Sequence, residues 1–143
     1  MGAGDIRTAI AFLLVAAALT GLGCSEFDRL RIRAHLGGAD SQILVGYAYE
    51  TGKGIEEAPE KAVEWYRKAA AQGHPKAFGL LGEKYRLGVG VRRDLIRANM
   101  FYTLGLRRGE AHLGEIARAV ERELSDAEIA ESRRLADDWE ANH

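Results

Sequence analysis

The residues able to carry chemistry are three of the four histidines, four serines, one lysine between glycines and a single cysteine. His35, His74 and His112 are almost evenly spaced along the chain of 143 residues. On successive helical layers they would stand about 8–10 Å apart, whereas zinc draws its ligand nitrogens in to about 2.1 Å. They therefore read as solvated turn histidines. No serine is followed three residues later by lysine, and neither Gly-x-Ser-x-Gly nor His-Glu-x-x-His occurs. Gly52-Lys53-Gly54 lacks the upstream glycine, the Ser/Thr and the preceding strand of a phosphate-binding loop. Cys24 is the one cysteine, which excludes an internal disulfide and a cysteine-based metal cluster. No cofactor is expected, and the charged residues Glu56-Glu57 and Arg92-Arg93 read as solvated loop charges.

What the chain does contain is a repeat. Gly46-x-x-Tyr49-x-x-Gly52-x-Gly54-Ile55 returns 36 residues later as Gly82-x-x-Tyr85-x-x-Gly88-x-Gly90-Val91. A fixed period of this length marks a solenoid of supersecondary units. The first unit predicts a helix from about Asp40 to Thr51, with Ser41, Leu44, Val45, Ala48 and Tyr49 as its buried stripe. Gly46 lies inside that helix at a cost of ~1 kcal/mol relative to Ala, so a neighbouring backbone is expected to come close there. Gly52 takes the left-handed position past the last turn. Pro59 begins the second helix, whose inward face is Ala62, Trp65, Tyr66, Ala69 and Ala70, with Gly73 ending it. In the second unit the corresponding residues are Ala77, Leu80, Leu81, Gly82 and Tyr85, then Asp94 as a helix cap, then Ala98, Phe101, Tyr102, Gly105 and Gly109.

Beyond Gly109 the copying fades. Leu113, Ile116, Ala117, Val120 and Leu124 still form a helical stripe. Ser125-Asp126-Ala127-Glu128 is a capping box opening a last helix with Ile129, Leu135, Ala136 and Trp139 inward. A terminal unit with a polar outer side closes a solenoid. Upstream, Glu26–Leu36 has the register of the second half of a worn unit.

The first residues read as an address. Ala9–Leu19 is an unbroken apolar run of 11, shorter than the roughly 20 residues of a membrane span, and small residues follow it. That order is a secretory signal peptide. Gly21-Leu22-Gly23-Cys24 resembles a bacterial lipobox, in which the cysteine is lipidated; plain secretion and an uncleaved anchor are the other two readings of the same stretch. The spans expected are 1–23 as signal region, 24–36 as partial repeat or linker, 37–73 and 74–109 as full repeats, and 110–143 as closing helices.

These motifs resemble Sel1-like repeats, relatives of the tetratricopeptide repeat. Ala77, Leu81, Gly82, Tyr85, Gly88, Gly90, Val91, Asp94, Ala98, Tyr102 and Gly109 carry the resemblance in the second unit. In the first it rests on Gly46, Tyr49, Gly52, Gly54, Ala62, Trp65, Tyr66, Ala69, Ala70 and Gly73. The departures are Ala58 for the capping Asp, Ser41 for Ala, Val45 for Leu, Phe101 for Trp and Gly105-Leu106 for Ala-Ala. The resemblance implies an all-α right-handed superhelix that works as an adaptor for other proteins, in bacteria often in the cell envelope. It implies no catalytic centre. Cysteine-rich relatives linked to β-lactams pair two cysteines within each repeat, and those pairs are absent here.

With 20 basic against 21 acidic side chains the balance does not favour nucleic acid. The expected partner is a protein or peptide, with the membrane engaged through the N-terminal lipid or signal anchor, in the periplasm or at the outer membrane. Comparison of the two units separates residues that stay alike from residues that differ. Asp40/Lys76, Ile43/Gly79, Tyr47/Glu83 and Glu50/Arg86 differ and share one helical face, the inner one if the first helix lines the groove. Ile43, Tyr47, Glu50, Glu83 and Arg86 are thus candidate partner-binding residues, joined by Phe78, which stands where the first unit has Gln42. The other functions kept open are an enzyme or enzyme accessory acting on peptidoglycan or β-lactams, and a structural lipoprotein without a groove ligand.

Overall fold

The computed structural model describes residues 25–143; the signal region and Cys24 lie outside the described residues. Among the described residues there are seven α-helices, one 3-10 turn and no strand. They are α1 (Glu26–His35), α2 (Ala39–Thr51), α3 (Pro59–Ala71), α4 (Pro75–Leu87), α5 (Leu95–Arg107), the 3-10 turn Ala111–Leu113, α6 (Gly114–Glu121) and α7 (Asp126–Asn142). The packing follows chain order, α1 on α2, α2 on α3, α3 on α4 and α4 on α5. Only at the end does it change, where α7 lies directly across α5.

Helix ends are set locally. Ser25 and Ser125 each cap a helix through a reciprocal box, with Asp28 and Glu128, and Asp94 accepts a bond from the backbone N–H of Arg97 at 3.0 Å. Pro59 and Pro75 open α3 and α4, where a missing N–H costs nothing. The loop inside each repeat folds back onto its own first helix. Ala58 N–H donates to the Tyr49 carbonyl and Asp94 N–H to the Tyr85 carbonyl, both at 2.8 Å. Gly37, Gly73 and Gly109, each 36 residues from the next, all have left-handed φ, at +96°, +75° and +92°. That shared turn gives α1 the place of a second helix in the repeat order.

The two helices of a repeat interlock through one tyrosine and one glycine. A β-carbon on Gly82 would lie 2.5 Å from Tyr102 Cε1, and one on Gly46 would lie 2.7 Å from Tyr66 Cδ1. An aromatic ring, not the expected backbone, is what excludes the methyl. Close backbone approach occurs instead at Gly90. Its φ is +71°, and an added β-carbon would run into the Pro59 carbonyl and lie 2.9 Å from Glu60 N. The loop of the second repeat is thereby seated on the first turn of α3.

The main core runs through both repeats and the closing helices, with Tyr66, Phe78, Leu81, Tyr102 and Leu104 fully buried. Burial of each large apolar side chain contributes about 1.5–3 kcal/mol. A smaller cluster of Ala34, Val45 and Trp65, flanked by Phe27 and Leu30, joins α1 to the first repeat. The expected stripe of α2 holds at Val45 and Ala48 but not at Leu44, which is 53% exposed. Gln42 takes an inside place, donating to the Ala34 carbonyl at 3.1 Å and accepting from Gln72 at 2.8 Å. Its amide satisfies a carbonyl at the end of α1, so a polar residue is stable in the seam. At the far end Asn99 donates to Ser132 Oγ at 2.8 Å, and that hydroxyl donates to the Ile129 carbonyl, tying α5 to α7.

Candidate protein-binding surface

On α2 the solvent-facing stripe is Asp40, Leu44, Tyr47 and Thr51, residues spaced four, three and four apart as one face of a helix requires. The stripe is rotated from the expected one. Ile43 and Glu50 turn away from solvent toward the next repeat, because residues one position along a helix lie about 100° round its axis. Ile43 packs against the main core. Tyr47, at 53% exposed, and Leu44 remain outward, and on α4 the 49% exposed Leu87 has the position equivalent to Thr51.

Glu50 instead organises a polar link between repeats. Its carboxylate accepts from the Tyr66 hydroxyl at 2.7 Å and pairs with the Lys84 ammonium. Lys84 is 6% exposed and occupies the place equivalent to Ala48, so nothing in the repeat pattern marked it. The phenol of Tyr66 is pushed far above its usual pKa of 10, first by burial and then by its bond to Glu50. In the second repeat a different carboxylate meets the equivalent tyrosine. Glu83 accepts from Tyr102 at 3.1 Å and from Arg86 at 3.0 and 2.6 Å. The Arg86 bonds hold Glu83 below the usual carboxylate pKa, and Glu83 in return raises Arg86. Glu83 and Arg86 are half-buried partners of each other before they are partners of anything else.

Phe78 is completely buried and is therefore no surface anchor. It sits in the core beside Leu113, the side chain that also fills the space above Gly79 and Gly105. Gly79 differs from Ile43 because Leu113 Cδ2 would lie 3.2 Å from any β-carbon there.

The histidines are scattered. His35 packs edge-on to Trp65 at 4.8 Å, His74 Nε2 lies 2.9 Å from Asp40, and His112 faces Glu110 at 3.2 Å. Each has its own neighbour and they do not converge.

One concave feature was not expected from the sequence. The C-terminal turns of α7 cross α5 and leave a groove of about 420 Å³ between α3, the end of α4, α5 and α7. Its floor is a ladder of rings: Tyr85 stacks on Phe101 at 5.5 Å, Phe101 meets Trp139 edge-on at 5.5 Å, and Trp139 stacks on His143 at 4.1 Å. Arg107 braces α7 from the opposite side through Asp137 and Glu140, both at 2.8 Å.

A helical-pair solenoid with tyrosine-on-glycine interlocks is the class of protein that fold and surface define. The Sel1 repeat family model matches residues 39–74 and 80–110, and the chain belongs to the Sel1-like repeat family. Among solved structures it is similar to c5321, a protective antigen of uropathogenic Escherichia coli with an SLR fold. That match has 30% identity and a TM-score of 0.73, covering 95% of this chain and 30% of that one. A Sel1 repeat protein from Oxalobacter formigenes is similar at 28% identity and a TM-score of 0.62, over 78% of this chain and 87% of that one. In sequence the chain is 35% identical over 66 residues to HRD3A of Arabidopsis thaliana, an ERAD-associated E3 ubiquitin-protein ligase component. The match takes in 46% of this chain, and the chain spans a tenth of the length of that curated relative. Sel1 repeats in general serve as protein–protein interaction scaffolds.

Proposed function

We propose that this chain is a non-enzymatic protein-binding module that meets its partner on the outward face of the first helix of each repeat. The observation that carries this reading is the set Leu44, Tyr47 and Leu87, all about half exposed on that face. Large apolar side chains grouped outside a well-filled core are what an interface uses, and tyrosine is among the residues enriched at binding hot spots. Asp40 and Lys76, exposed on the same face, supply opposite charges that set register on a partner. Ile43, Glu50, Glu83 and Arg86 support the face from beneath.

The same reading places the module outside the cytoplasm, tethered through Cys24 to the periplasmic side of a membrane. Its support is the order of residues in the sequence, the apolar run Ala9–Leu19 followed by Gly21-Leu22-Gly23-Cys24. The test is crosslinking and capture from solubilised membranes with the full chain, its Leu44→Ser variant and its Tyr47→Ala variant. A protein retained by the wild type and lost from both variants supports the face; retention of every captured protein by both variants removes it. For the tether, Cys24→Ser is expected to move the protein from the membrane to the soluble fraction.

A further inference from the structure

The groove between α5 and α7 carries a chemistry that the outward face of α2 does not. We propose that it binds an extended peptide segment in which an aspartate or glutamate side chain lies next to an aromatic residue, a proposal that rests on the protein-binding reading.

Two guanidinium groups stand at the rim. Arg67 of α3 and Arg97 of α5 lie over the ring of Tyr85, at 5.9 and 5.7 Å from its centre. Arg67 donates to the Tyr85 hydroxyl at 2.6 Å, and among the described residues it forms no ion pair. Arg97 has only Asp94, at 3.6 Å, beyond hydrogen-bonding distance. Each guanidinium carries five N–H donors in a planar fork, so among the described residues most of the donor capacity of both is left to solvent. The one acidic side chain lining the groove, Asp138, accepts from Arg134 at 2.7 Å on α7. Both cations stand near the one phenol ring, and both line the groove that an entering anion would occupy.

Beneath the cations the surface is apolar: Met100, Phe101, Leu135 and Trp139. A ring that enters here meets the half-buried Leu135 and Trp139, over a Phe101 that is itself 3% exposed, and can pack on the indole in an arrangement aromatic pairs prefer. The carboxylate beside it then reaches the Arg67–Arg97 pair, where a charge-assisted, forked contact is available. A phosphate would satisfy the cations but leave the apolar floor uncovered, and a purely aliphatic segment would do the reverse. The combination selects an acidic residue with an aromatic neighbour.

Trp139 is one of two tryptophans in the chain, and the other, Trp65, lies in the separate cluster with Ala34 and Val45. The indole N–H resonances, assigned with Trp139→Phe, therefore report the groove and an internal control at once. The probe is the tetrapeptide Gly-Asp-Phe-Gly, acetylated and amidated so that its only charge is the aspartate. It is expected to shift the Trp139 resonance and leave that of Trp65 in place. Replacing its Asp by Asn, or its Phe by Ala, should weaken binding about tenfold or more, as should Arg67→Gln or Arg97→Gln in the protein, with circular dichroism unchanged. Added salt should weaken it as well, because the arginines face solvent.

The proposal is overturned by any of four results. These are no Trp139 shift at millimolar peptide, equal binding of the Asn peptide, competition by inorganic phosphate as strong as by the peptide, or binding only of a peptide with a free C-terminal carboxylate. Failure here is separable from failure of the wider reading. A partner lost with Tyr47→Ala but kept with Arg67→Gln leaves a protein-binding module whose groove is idle; no specific partner in any capture removes the module reading itself.

Discussion

The ring of Tyr66 lies where a β-carbon on Gly46 would have to stand, and 36 residues on the ring of Tyr102 does the same to Gly82. Each pair sets the separation of the two helices in its repeat. Alanine at Gly46 or Gly82 gains about 1 kcal/mol in helix propensity yet should destabilise the protein by about 1–3 kcal/mol, the usual cost of overpacking a filled core. Denaturant melts of Gly82→Ala check this. In a Tyr102→Ala background the same substitution should become neutral or stabilising, since the obstacle is gone.

Phe78 and Tyr47 separate folding from binding. Phe78→Ala opens a cavity at a fully buried site and should cost about 3–5 kcal/mol. Tyr47→Ala, on the solvent stripe, should change stability by no more than about 0.5 kcal/mol. Thermal melts of the two variants give the comparison. Loss of partner capture in Tyr47→Ala is then interpretable as loss of contact.

The Glu50–Lys84 pair should respond unequally to its two neutralising variants. Glu50→Gln leaves the Lys84 ammonium, which is 6% exposed, without its counter-charge. Removing one partner of a fully buried pair costs about 3–5 kcal/mol; because the Glu50 side chain is 29% exposed, a cost of about 1–3 kcal/mol is expected. Lys84→Met keeps the volume and removes the buried charge, and should cost less than about 1.5 kcal/mol. Chemical denaturation of both variants checks the order, and an equal cost would mean that the ammonium is hydrated.

Glu83 gives the acid limb a handle. Its carboxyl is held below its usual 4.5, first by Arg86 and then by Tyr102, against the opposing effect of burial. A group with a depressed folded pKa adds stability above the unfolded value, and that stability is lost as pH falls through the folded one. Wild type should therefore exceed Glu83→Gln above pH 4.5, and the difference should close below it. A melting-temperature series from neutral to acid pH measures the convergence; a constant gap would assign the effect to packing.

The period, the helices, the turn glycines and most of the core could be read from residue order, because they rest on local rules repeated 36 residues apart. Pro59, Asp94 and Ser125 act within a turn of where they stand, and the tyrosines and alanines of the stripes need only helical spacing to find the core. The differences between repeats were harder to read, since a position changes for either of two reasons. Tyr47 and Leu44 face solvent, whereas Gly79 makes room for Leu113, and Glu50 meets Lys84 of the next repeat. Sequence comparison sees both kinds as departures from a pattern. A rotation of one residue about the axis of α2 decides which is which, and that rotation is set by how neighbouring helices pack. The groove beside Trp139 depends on tertiary structure still more fully. It exists because α7 crosses α5 instead of continuing the stack, which brings together Arg67, Arg97 and Trp139, residues that no local spacing relates.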